Sequence, residues 1–338
     1  MLIQQNKSLK PYNTFGIDAL ARYFTEVDTV ATMQQVITTQ EFKQHAPLIL
    51  GGGSNILLTK NFDGLVLKNN LKGIEVVKED EQQVFVKAAA GEVWHELVMW
   101  CIQRQYAGLE NLSLIPGCVG ASPMQNIGAY GVEIKDTFYE LEALEINTGK
   151  IKTFSKADCE FGYRESVFKR QLKNQFIILS VTFCLSKKPT FHIEYGAIKQ
   201  ELDNTKVSTL SIQAVSQAVI NIRSSKLPNP KEIGNAGSFF KNPEVTASVY
   251  HELKTHYPQL VAYPLDNGNY KLAAGWLIEQ AGLKGYRKQD AGVHTLQALV
   301  LVNYGNATGN DIYNLSTYVM DTVKQKFSVQ LEREVNMV

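Results

Sequence analysis

Apolar residues recur at helical spacing in several stretches of the chain. The range 92–105 is predicted to be a helix, because four of its apolar residues fall on one helical face: Val93, Leu97, Trp100 and Cys101. The same periodicity, bounded by polar and proline residues, predicts helices at 212–223, 244–253, 272–281 and 311–326. An earlier helix is predicted at 29–39, with Asp28 in position to cap it. Longer helices are therefore expected in the C-terminal half.

Short apolar runs between turn residues predict β-strands. Among the first seventy residues these runs are 48–50, 56–58 and 65–67, and a turn joins the last two. Further strands are predicted at 74–77, 84–88, 138–146, 150–154, 176–183 and 298–302. The chain is therefore expected to mix helices with strands throughout.

The range 327–335 alternates between apolar and polar residues and is predicted to be a terminal strand. Glu332 and Glu334 would share one face of it, because side chains two residues apart point the same way. The opposite face would carry four apolar residues, Phe327, Val329, Leu331 and Val335. Paired carboxylates of this kind are usually the solvated face of an edge strand, so this pattern alone assigns no function.

Composition narrows the classes of function. The 338 residues suit two or three domains, and 34 basic against 33 acidic residues leave no basic block for nucleic acid or an anionic membrane. The four cysteines are widely spaced, which is typical of reduced thiols. The six histidines are scattered and suggest no metal site. Without an apolar leader or a membrane-spanning run, the sequence predicts a cytoplasmic protein.

Residues 111–132 carry no charged side chain. The segment holds four glycines, two prolines and several amide and hydroxyl groups, which make it too polar and too broken for a membrane helix. Glycine lets the backbone approach a ligand and direct N–H groups at it, so anionic oxygens could be bound without lysine or arginine. A buried glycine-rich loop explains the pattern equally well, and both interpretations stay open.

A second glycine-rich loop, Gly51 to Asn55, directly follows the predicted strand 48–50. A dinucleotide fingerprint of the Rossmann type would need glycine at position 56 and a helix after the loop, whereas Ile56 and further strands follow. The Gly-Lys-Ser/Thr of a P-loop is also missing. The loop is therefore a candidate phosphate cradle outside both folds, although a triple glycine is more often a tight turn.

Together with three further motifs, these two segments resemble the UDP-N-acetylenolpyruvoylglucosamine reductase family over nearly the whole chain. The motifs occur in the family's order, as Gly51–Asn55, Leu114–Gly131, Gly162-Tyr-Arg164, Gly237–Asn242 and Leu331–Glu334. The resemblance implies an α+β protein. An FAD-binding domain of the vanillyl-alcohol-oxidase (PCMH) type would form two lobes, at 1–72 and 73–210. A smaller α+β substrate-binding domain would follow at 211–338, and its last strand, 327–335, would return a catalytic glutamate to the flavin.

The resemblance also implies an activity, the NADPH-dependent reduction of UDP-N-acetylenolpyruvoylglucosamine to UDP-N-acetylmuramate for peptidoglycan. Hydride addition to the vinyl carbon leaves negative charge on the neighbouring carboxylate, and Arg164 and Glu334 match the residues that stabilise it. Ser238 matches the family's proton donor for the adjacent carbon. From the residues alone, Ser238 could equally be a helix cap, and motif position alone favours Glu334 over Glu332.

Further site residues follow from the resemblance. Tyr195 matches the mobile tyrosine that closes over the nucleotide in one subclass, and Arg333 and Asn336 depart from the usual terminal pattern. FAD-binding residues would be Gly51, Gly52, Gly53, Ser54, Asn55, Ile56, Pro116, Gly117, Gly120, Ala121, Ser122, Gln125, Asn126, Gly128 and Ile178. Substrate-binding residues would be Tyr130, Tyr195, Lys226, Asn242, Tyr263, Lys271 and Gln297.

The expected partners are therefore FAD, NADPH and a UDP-sugar, with the chain acting as a monomer without an obligate protein partner. The residues leave the choice between NADPH and NADH open. A flavin oxidase of the same fold acting on another substrate, and a nucleotide-binding module without turnover, remain the alternatives.

Overall fold

The computed structural model describes residues 2–195 and 197–338. Within them the helices are α1 Val30–Val36, α2 Gln40–Lys43, α3 Trp94–Gln103, α4 Ile198–Asn204, α5 Ile212–Lys226, α6 Ala247–His256, α7 Ala274–Gln280 and α8 Gly309–Phe327. The strands of the first half are β1 Gln4–Ser8, β2 Leu20–Val27, β3 Leu48–Leu50, β4 Ile56–Leu57, β5 Phe62–Asn69, β6 Ile74–Glu79, β7 Gln83–Ala89, β8 Gly128–Ala129, β9 Val132–Glu133, β10 Phe138–Glu145, β11 Ile151–Ser155 and β12 Phe176–Ser186. Those of the second half are β13 Gly234–Ser238, β14 Glu244–Val245, β15 Ala262–Pro264, β16 Tyr270–Leu272, β17 Arg287–Lys288, β18 Ala291–Val293, β19 Val300–Asn303 and β20 Asn336–Met337. The predicted α+β character is confirmed.

The chain folds as two compact units, each assembled from separate stretches. The first comprises Met1–Lys7, Ala21–Gly52 and Asp63–Ser225, and the second comprises Ser8–Leu20, Gly53–Phe62 and Lys226–Val338. The triple glycine is thus shared, since Gly52 belongs to the first unit and Gly53 to the second. The three consecutive segments expected from the sequence stay a prediction.

A five-stranded sheet forms the centre of the first unit, in the order β11-β10-β12-β7-β6 with antiparallel neighbours. Its middle strand, β12, is a nearly continuous apolar run that is buried along most of its length. A strand covered on both faces needs such a run instead of alternation. The same unit holds a second sheet in the order β1-β2-β5-β3, in which β3 and β5 are parallel.

Helix α3 fastens the uncharged segment to the central sheet. Trp94, at the start of α3, packs edge to face against Phe183 of β12 with 5.7 Å between ring centroids. Its indole N–H donates to the Leu112 carbonyl at 2.9 Å, and its backbone N–H donates to the Gly117 carbonyl at 3.0 Å. The predicted helix at 92–105 is confirmed, and its first residue sets the position of the loop that follows it.

The second unit is built on the antiparallel sheet β13-β19-β18-β17. Helix α8 begins at a capping box, in which Thr308 accepts from the Asp311 N–H and Asp311 accepts from the Thr308 N–H. The buried residues of α8 recur at helical spacing and include Ile312, Val319, Val323 and Phe327. This apolar stripe runs along the nineteen residues of the helix and packs it against the unit's core, including β18 and β19.

The prediction of a terminal strand at 327–335 is wrong in two respects: its first residue belongs to a helix, and the rest is not a regular strand. Phe327 is the last residue of α8, because it continues the buried stripe of Val319 and Val323, and Ser328 ends the helix in the left-handed conformation with φ of 56°. The residues after it form an isolated bridge between Phe240 and Arg333, and regular strand appears only in β20. The predicted alternation nevertheless holds, with Val329, Leu331 and Val335 buried and Glu332 exposed.

One local prediction in the first seventy residues is also corrected. The cap of α1 is Thr29 and not Asp28, since the Thr29 hydroxyl accepts from the Thr32 N–H at 3.1 Å. The predicted strands at 56–58 and 65–67 are present in β4 and β5, and these two strands do not pair with each other. β4 instead pairs in parallel with β20, about 280 residues further along the chain.

Gly309→Ala is expected to destabilise the protein by about 1–3 kcal/mol. A Cβ on Gly309 would overlap the carbonyl oxygen of Leu58, and backbone cannot turn aside as a side chain can. Helix propensity alone predicts the opposite sign, because alanine favours a helix more than glycine does. Urea unfolding of the FAD-loaded protein measures the change, and Asn310→Ala, at the exposed neighbouring position, is the control. Equal stability of the Gly309→Ala variant and the wild type would show that the start of α8 is not packed against Leu58 as described.

Candidate functional site

Two glycine-rich loops of the first unit lie against each other through their backbones. A Cβ on Gly52 would come within 2.8 Å of the Gly117 Cα, and a Cβ on Gly51 would lie 3.4 Å from the Cys118 Cβ. Gly120 is as tightly held, because a Cβ there would lie 2.5 Å from the Ala90 Cβ. Side chains are therefore excluded at Gly52 and Gly120, where space requires glycine, whereas a Cβ on Gly51 would make an ordinary van der Waals contact.

The accessible edge of these loops is free of charge. Gly52, Pro116 and Ala121 are exposed, and Gly117 and Gly120 are partly so. Backbone N–H groups at such an edge can bind a diphosphate without a lysine or arginine. The uncharged segment is therefore neither wholly buried nor wholly exposed, and its binding of a ligand stays a prediction. Its accessible glycines fit the requirements of a flavin dinucleotide.

The rest of the triple-glycine loop is held by its own unit. Gly53 has a φ of +61°, and a Cβ on it would overlap the Tyr12 carbonyl oxygen. Asn13 shapes the receiving loop, because its side chain donates to the carbonyls of Leu9 and Ile17 and accepts from the Ile17 N–H. The Thr14 N–H then donates to the Gly53 carbonyl at 3.1 Å. Ser54 and Asn55 form the turn, and Ile56 begins β4.

Several of the predicted FAD-binding residues use their side chains within the protein. The Asn126 amide donates to the Glu133 carboxylate and the Gly162 carbonyl and accepts from the Lys135 N–H. Ser122 donates to the Val119 carbonyl at 2.7 Å, and the Ile178 side chain belongs to the hydrophobic core. Asn126 and Ser122 thus hold the shape of the loop, and cofactor contacts by these residues would be made by the backbone.

Arg164 lies against the uncharged segment. Its Nη2 donates to the Gly128 carbonyl at 2.7 Å, and a Cβ on Gly128 would stand 3.1 Å from its Nη1. Arg164 and Tyr130 both have left-handed backbones, with φ of 56° and 51°. Such conformations cost about 1–3 kcal/mol in a residue other than glycine and cluster at functional sites. The structure thus brings Arg164 together with the segment of Gly128 and Tyr130, which belongs to a separate motif.

One residue of this cluster was missed by sequence reasoning. Arg223, on α5, interacts with the Tyr130 hydroxyl through its guanidinium, and burial lowers the pKa of Arg223. Burial raises the pKa of Tyr130, and the arginine partly opposes that shift. The signal that could have identified Arg223 is its position four residues after the buried Val219, on the apolar stripe of the helix.

Tyr195 lies over the turn that carries Tyr130. A Cβ on Gly131 would be 3.3 Å from the Tyr195 Cβ, and the tyrosine is 45% exposed. Asn111 joins the two segments, since its amide donates to the Tyr130 carbonyl at 3.1 Å and to the His192 carbonyl at 2.7 Å. The tyrosine predicted to close over a nucleotide therefore rests on the loop that carries Tyr130.

Ser238 and Glu334 meet within the second unit. Ser238 ends β13 directly after Gly237, which has a φ of +69° and interrupts the pairing with β19 as a bulge. The bulge exposes Ser238 while Phe239 stays fully buried. The Glu334 N–H donates to the Phe239 carbonyl at 2.8 Å, so the two predicted catalytic residues lie on adjoining backbones. Ser238 does not cap a helix, and that alternative is excluded.

The two glutamates of the terminal segment differ in their surroundings. Glu332 is exposed and accepts from the Lys241 ammonium at 2.5 Å, whereas Glu334 is partly buried. Arg333 is held against α8, where it donates to Ser316 and Thr317 and stacks over Tyr313. Asn336 donates twice to the Asn55 carbonyl. Both residues that depart from the usual pattern therefore hold the segment in place.

Four predicted substrate-binding residues gather around α7. Tyr263 and Lys271 face each other across the β15–β16 pair. Asn242 accepts from the Ala274 N–H at 2.9 Å and thereby caps α7, and the Gln297 side chain lies within 3.2 Å of where a Gly275 Cβ would be. Lys226 is the exposed last residue of α5. The four thus form one polar cluster of the second unit.

The part of the chain that the structure describes contains no group of three or more histidine, cysteine, aspartate or glutamate residues that could hold a metal ion. No helix in residues 2–195 and 197–338 combines the length and the apolar character that crossing a membrane requires.

Comparisons with known proteins agree over the whole chain. Residues 21–155 match the family model of an FAD binding domain, and residues 229–338 match that of the UDP-N-acetylenolpyruvoylglucosamine reductase C-terminal domain. The chain is 52% identical to the UDP-N-acetylenolpyruvoylglucosamine reductase of Amoebophilus asiaticus, covering 100% of both proteins. It is 51% identical to the enzyme of that name from Pseudomonas putida, covering 99% of this chain and 98% of the relative.

The fold is also similar to a solved structure. The crystal structure of the UDP-N-acetylenolpyruvylglucosamine reductase from Thermus caldophilus superposes with a TM-score of 0.71 at 23% identity. The match covers 100% of this chain and 99% of that one. At this identity the likeness concerns the fold.

Proposed function

The chain belongs to the UDP-N-acetylenolpyruvoylglucosamine reductase family, and we propose that it reduces UDP-N-acetylenolpyruvoylglucosamine to UDP-N-acetylmuramate with NADPH. Membership follows from relatives more than 50% identical over full length, which makes the chain an oxidoreductase. The match to an FAD binding domain assigns FAD as its cofactor. The observation that supports the proposal is that the backbone of Glu334 is bonded to Phe239, the residue after Ser238, so that an exposed serine and a partly buried glutamate lie on adjoining segments.

The loops described above would hold the cofactor, with Gly51, Gly52, Gly117 and Gly120 offering backbone to its diphosphate. When bound, FAD supplies hydride transfer, from NADPH and then to the terminal vinyl carbon of the substrate. The protein's task is to hold the enolpyruvyl group in one orientation. It must also stabilise the charge that builds on the carboxylate and deliver a proton to the carbon beside it.

Arg164 would stabilise that charge. A guanidinium is always protonated and presents forked donors that match a carboxylate. Its hydrogen bond to the Gly128 carbonyl and its left-handed backbone fix it before substrate arrives. A donor that is already in place needs no reorganisation when the charge develops. Glu334 would add a hydrogen bond to the same carboxylate when its carboxyl group is protonated.

Ser238 would donate the proton. A hydroxyl is a weak acid, but the carbon next to the reduced centre is strongly basic and needs only a donor within reach. The bulge at Gly237 and the buried Phe239 hold Ser238 on both sides. The proton leaves the serine oxygen for carbon, and solvent or the neighbouring polar groups restore it.

The polar cluster around α7 would bind the nucleotide part of the substrate. Within it Lys271 suits a diphosphate as a point charge, while Tyr263, Asn242 and Gln297 offer polar groups around it. Lys226, at the end of α5 and outside this cluster, would add a second point charge. A UDP-sugar of this kind implies a role in peptidoglycan synthesis, and the cytoplasmic location and monomeric state predicted from the sequence remain predictions.

Purified protein tests the proposal directly. We expect it to carry FAD and to oxidise NADPH only when the enolpyruvyl substrate is added, with a product two hydrogens heavier by mass spectrometry. NADH tested in parallel measures the preference between the two nicotinamides. Oxygen consumption without the enolpyruvyl substrate would instead indicate a flavin oxidase, and tight binding without turnover would indicate a nucleotide-binding module.

Tyr195→Ala is expected to raise the Kd for UDP-N-acetylmuramate about 10-fold or more, because a closing aromatic side chain and its hydroxyl would be lost. Tyr195→Phe keeps the ring and should have a smaller effect. Calorimetric titration measures both affinities, and Tyr139→Ala, an exposed tyrosine of β10 in the same unit, serves as the control. An unchanged affinity in Tyr195→Ala would remove this residue from the nucleotide site.

A further inference from the structure

The contacts of Arg223 within the described part of the protein do not compensate for the burial of its positive charge. Its Nε is shielded from solvent and has no hydrogen-bond partner among the residues that the structure describes. The partner of its guanidinium is the neutral Tyr130 hydroxyl. Removing a charged group from water is costly unless an opposite charge or a full set of hydrogen bonds compensates. A buried donor with no partner therefore points to a ligand.

The neighbours of Arg223 add positive charge. The positive charge of Arg164 acts on Arg223 and lowers its pKa beyond the effect of burial. His95 is also close to Arg223. Burial is the largest cause that lowers the pKa of His95, and the positive charge of Arg223 is the next. The Nδ1 of His95 accepts from the Leu114 N–H at 3.0 Å, which fits a neutral imidazole. Two cations held close together in a partly buried place favour an anion between them.

Arg223 also bears on the position of Tyr130. The tyrosine has an unfavourable left-handed backbone, and its carbonyl is held by Asn111 at 3.1 Å. Its hydroxyl, at the other end of the side chain, lies close enough to Arg223 for each group to shift the pKa of the other. Arg223 thus lies beside one end of a residue whose other end is fixed by Asn111.

We propose that Arg223 is a second anion-binding arginine beside Arg164, whose Nε–H donates to an anionic oxygen of the bound substrate or of NADPH. The inference rests on the proposed function, and it adds a ligand contact that the motifs did not indicate. Carboxylate and phosphate oxygens share the required chemistry. Through its hydroxyl contact, Arg223 also positions Tyr130 for the same ligand.

The test measures binding to the oxidised, FAD-loaded protein by calorimetry, without turnover. The probes are UDP-N-acetylmuramate, UDP and NADP⁺. We expect Arg223→Gln to weaken at least one of them about 10-fold or more, as the loss of a charge-assisted hydrogen bond should. Arg22→Gln, an exposed arginine paired with Asp63, is the control and should bind as the wild type.

The probes separate the sources of the anion. A loss confined to NADP⁺ assigns Arg223 to the cofactor phosphates. A loss for both UDP and UDP-N-acetylmuramate assigns it to the diphosphate, and a loss for UDP-N-acetylmuramate alone assigns it to the sugar's carboxylate. Tyr130→Phe removes the hydroxyl contact and should reproduce only the part of the loss that comes from the tyrosine's position.

Unchanged affinities for all three probes in Arg223→Gln would overturn the inference. If that variant does not retain FAD, Arg223→Lys decides, since it preserves the charge and lacks Nε, and wild-type affinities there would overturn the inference equally. Wild-type protein that binds the probes but never reduces the enolpyruvyl substrate would refute the proposed function and leave this inference standing. Turnover by the wild type with unaltered binding in Arg223→Gln would do the reverse.

Discussion

Ser238→Ala is expected to slow substrate reduction about 10³- to 10⁴-fold while NADPH still reduces the flavin at the wild-type rate. General acid catalysis by a positioned group contributes up to about 10⁴-fold, and the alanine variant would have to rely on water for the proton. The serine is exposed at the end of β13, so its replacement removes little packing. Phe239 and Phe240, both buried, should keep the strand in place.

Anaerobic stopped-flow spectroscopy separates the two half-reactions by the colour of the flavin. Ser248→Ala, at an exposed position on α6 of the same unit, is the matched control and should behave as wild type in both. Ser238→Cys retains an acidic hydrogen and should recover part of the lost rate. If the substrate oxidises the reduced Ser238→Ala variant at the wild-type rate, Ser238 is not the proton donor.

The second large effect is expected for Arg164→Gln, with a loss of about 10²- to 10³-fold in the oxidation of reduced protein by substrate. One donor aimed at developing negative charge is typically worth that factor. Glutamine keeps a donor but loses the charge and the fork. Arg164→Lys keeps the charge without the forked donors, and its rate should lie between those of the wild type and Arg164→Gln.

The same stopped-flow experiment measures the Arg164 variants, and their FAD content must be determined beside it, because Arg164 also holds the Gly128 carbonyl. Arg170→Gln is the control, since this exposed arginine lies six residues later and pairs with Glu160. A variant that binds FAD normally and keeps the full rate would show that charge stabilisation comes from elsewhere.

Sequence reasoning succeeded where a function requires particular residue types in a short stretch. The glycines of both loops were identified because a backbone can approach only where no Cβ intervenes, and Gly52 against Gly117 shows that approach. Arg164 was found through its motif, and the structure adds a left-handed backbone that no spacing could reveal. The burial of alternate residues after Val329 was also predictable, because it is a local pattern.

Failures came where distant residues decide the local structure. Phe327 fits both a strand alternation and the fourth-residue spacing of α8, and its packing against Tyr257 and Trp276, both distant in sequence, favours the helix. β4 pairs with β20 and not with its neighbour in sequence, a choice that local turn residues do not encode. Arg223 was missed because its importance depends on Tyr130, which lies 93 positions away in the sequence and beside it in space.

The pairing of β4 with β20 has a consequence for the order in which the protein can assemble. Asn55 and Leu57 receive hydrogen bonds from Asn336 and Val338, residues made long after them. During synthesis β4 therefore stays without this pairing while more than two hundred residues are added. Contacts so distant in sequence form slowly. Glu334, for which a catalytic role is proposed, lies in the same segment and would be among the last parts of the protein to be set in place.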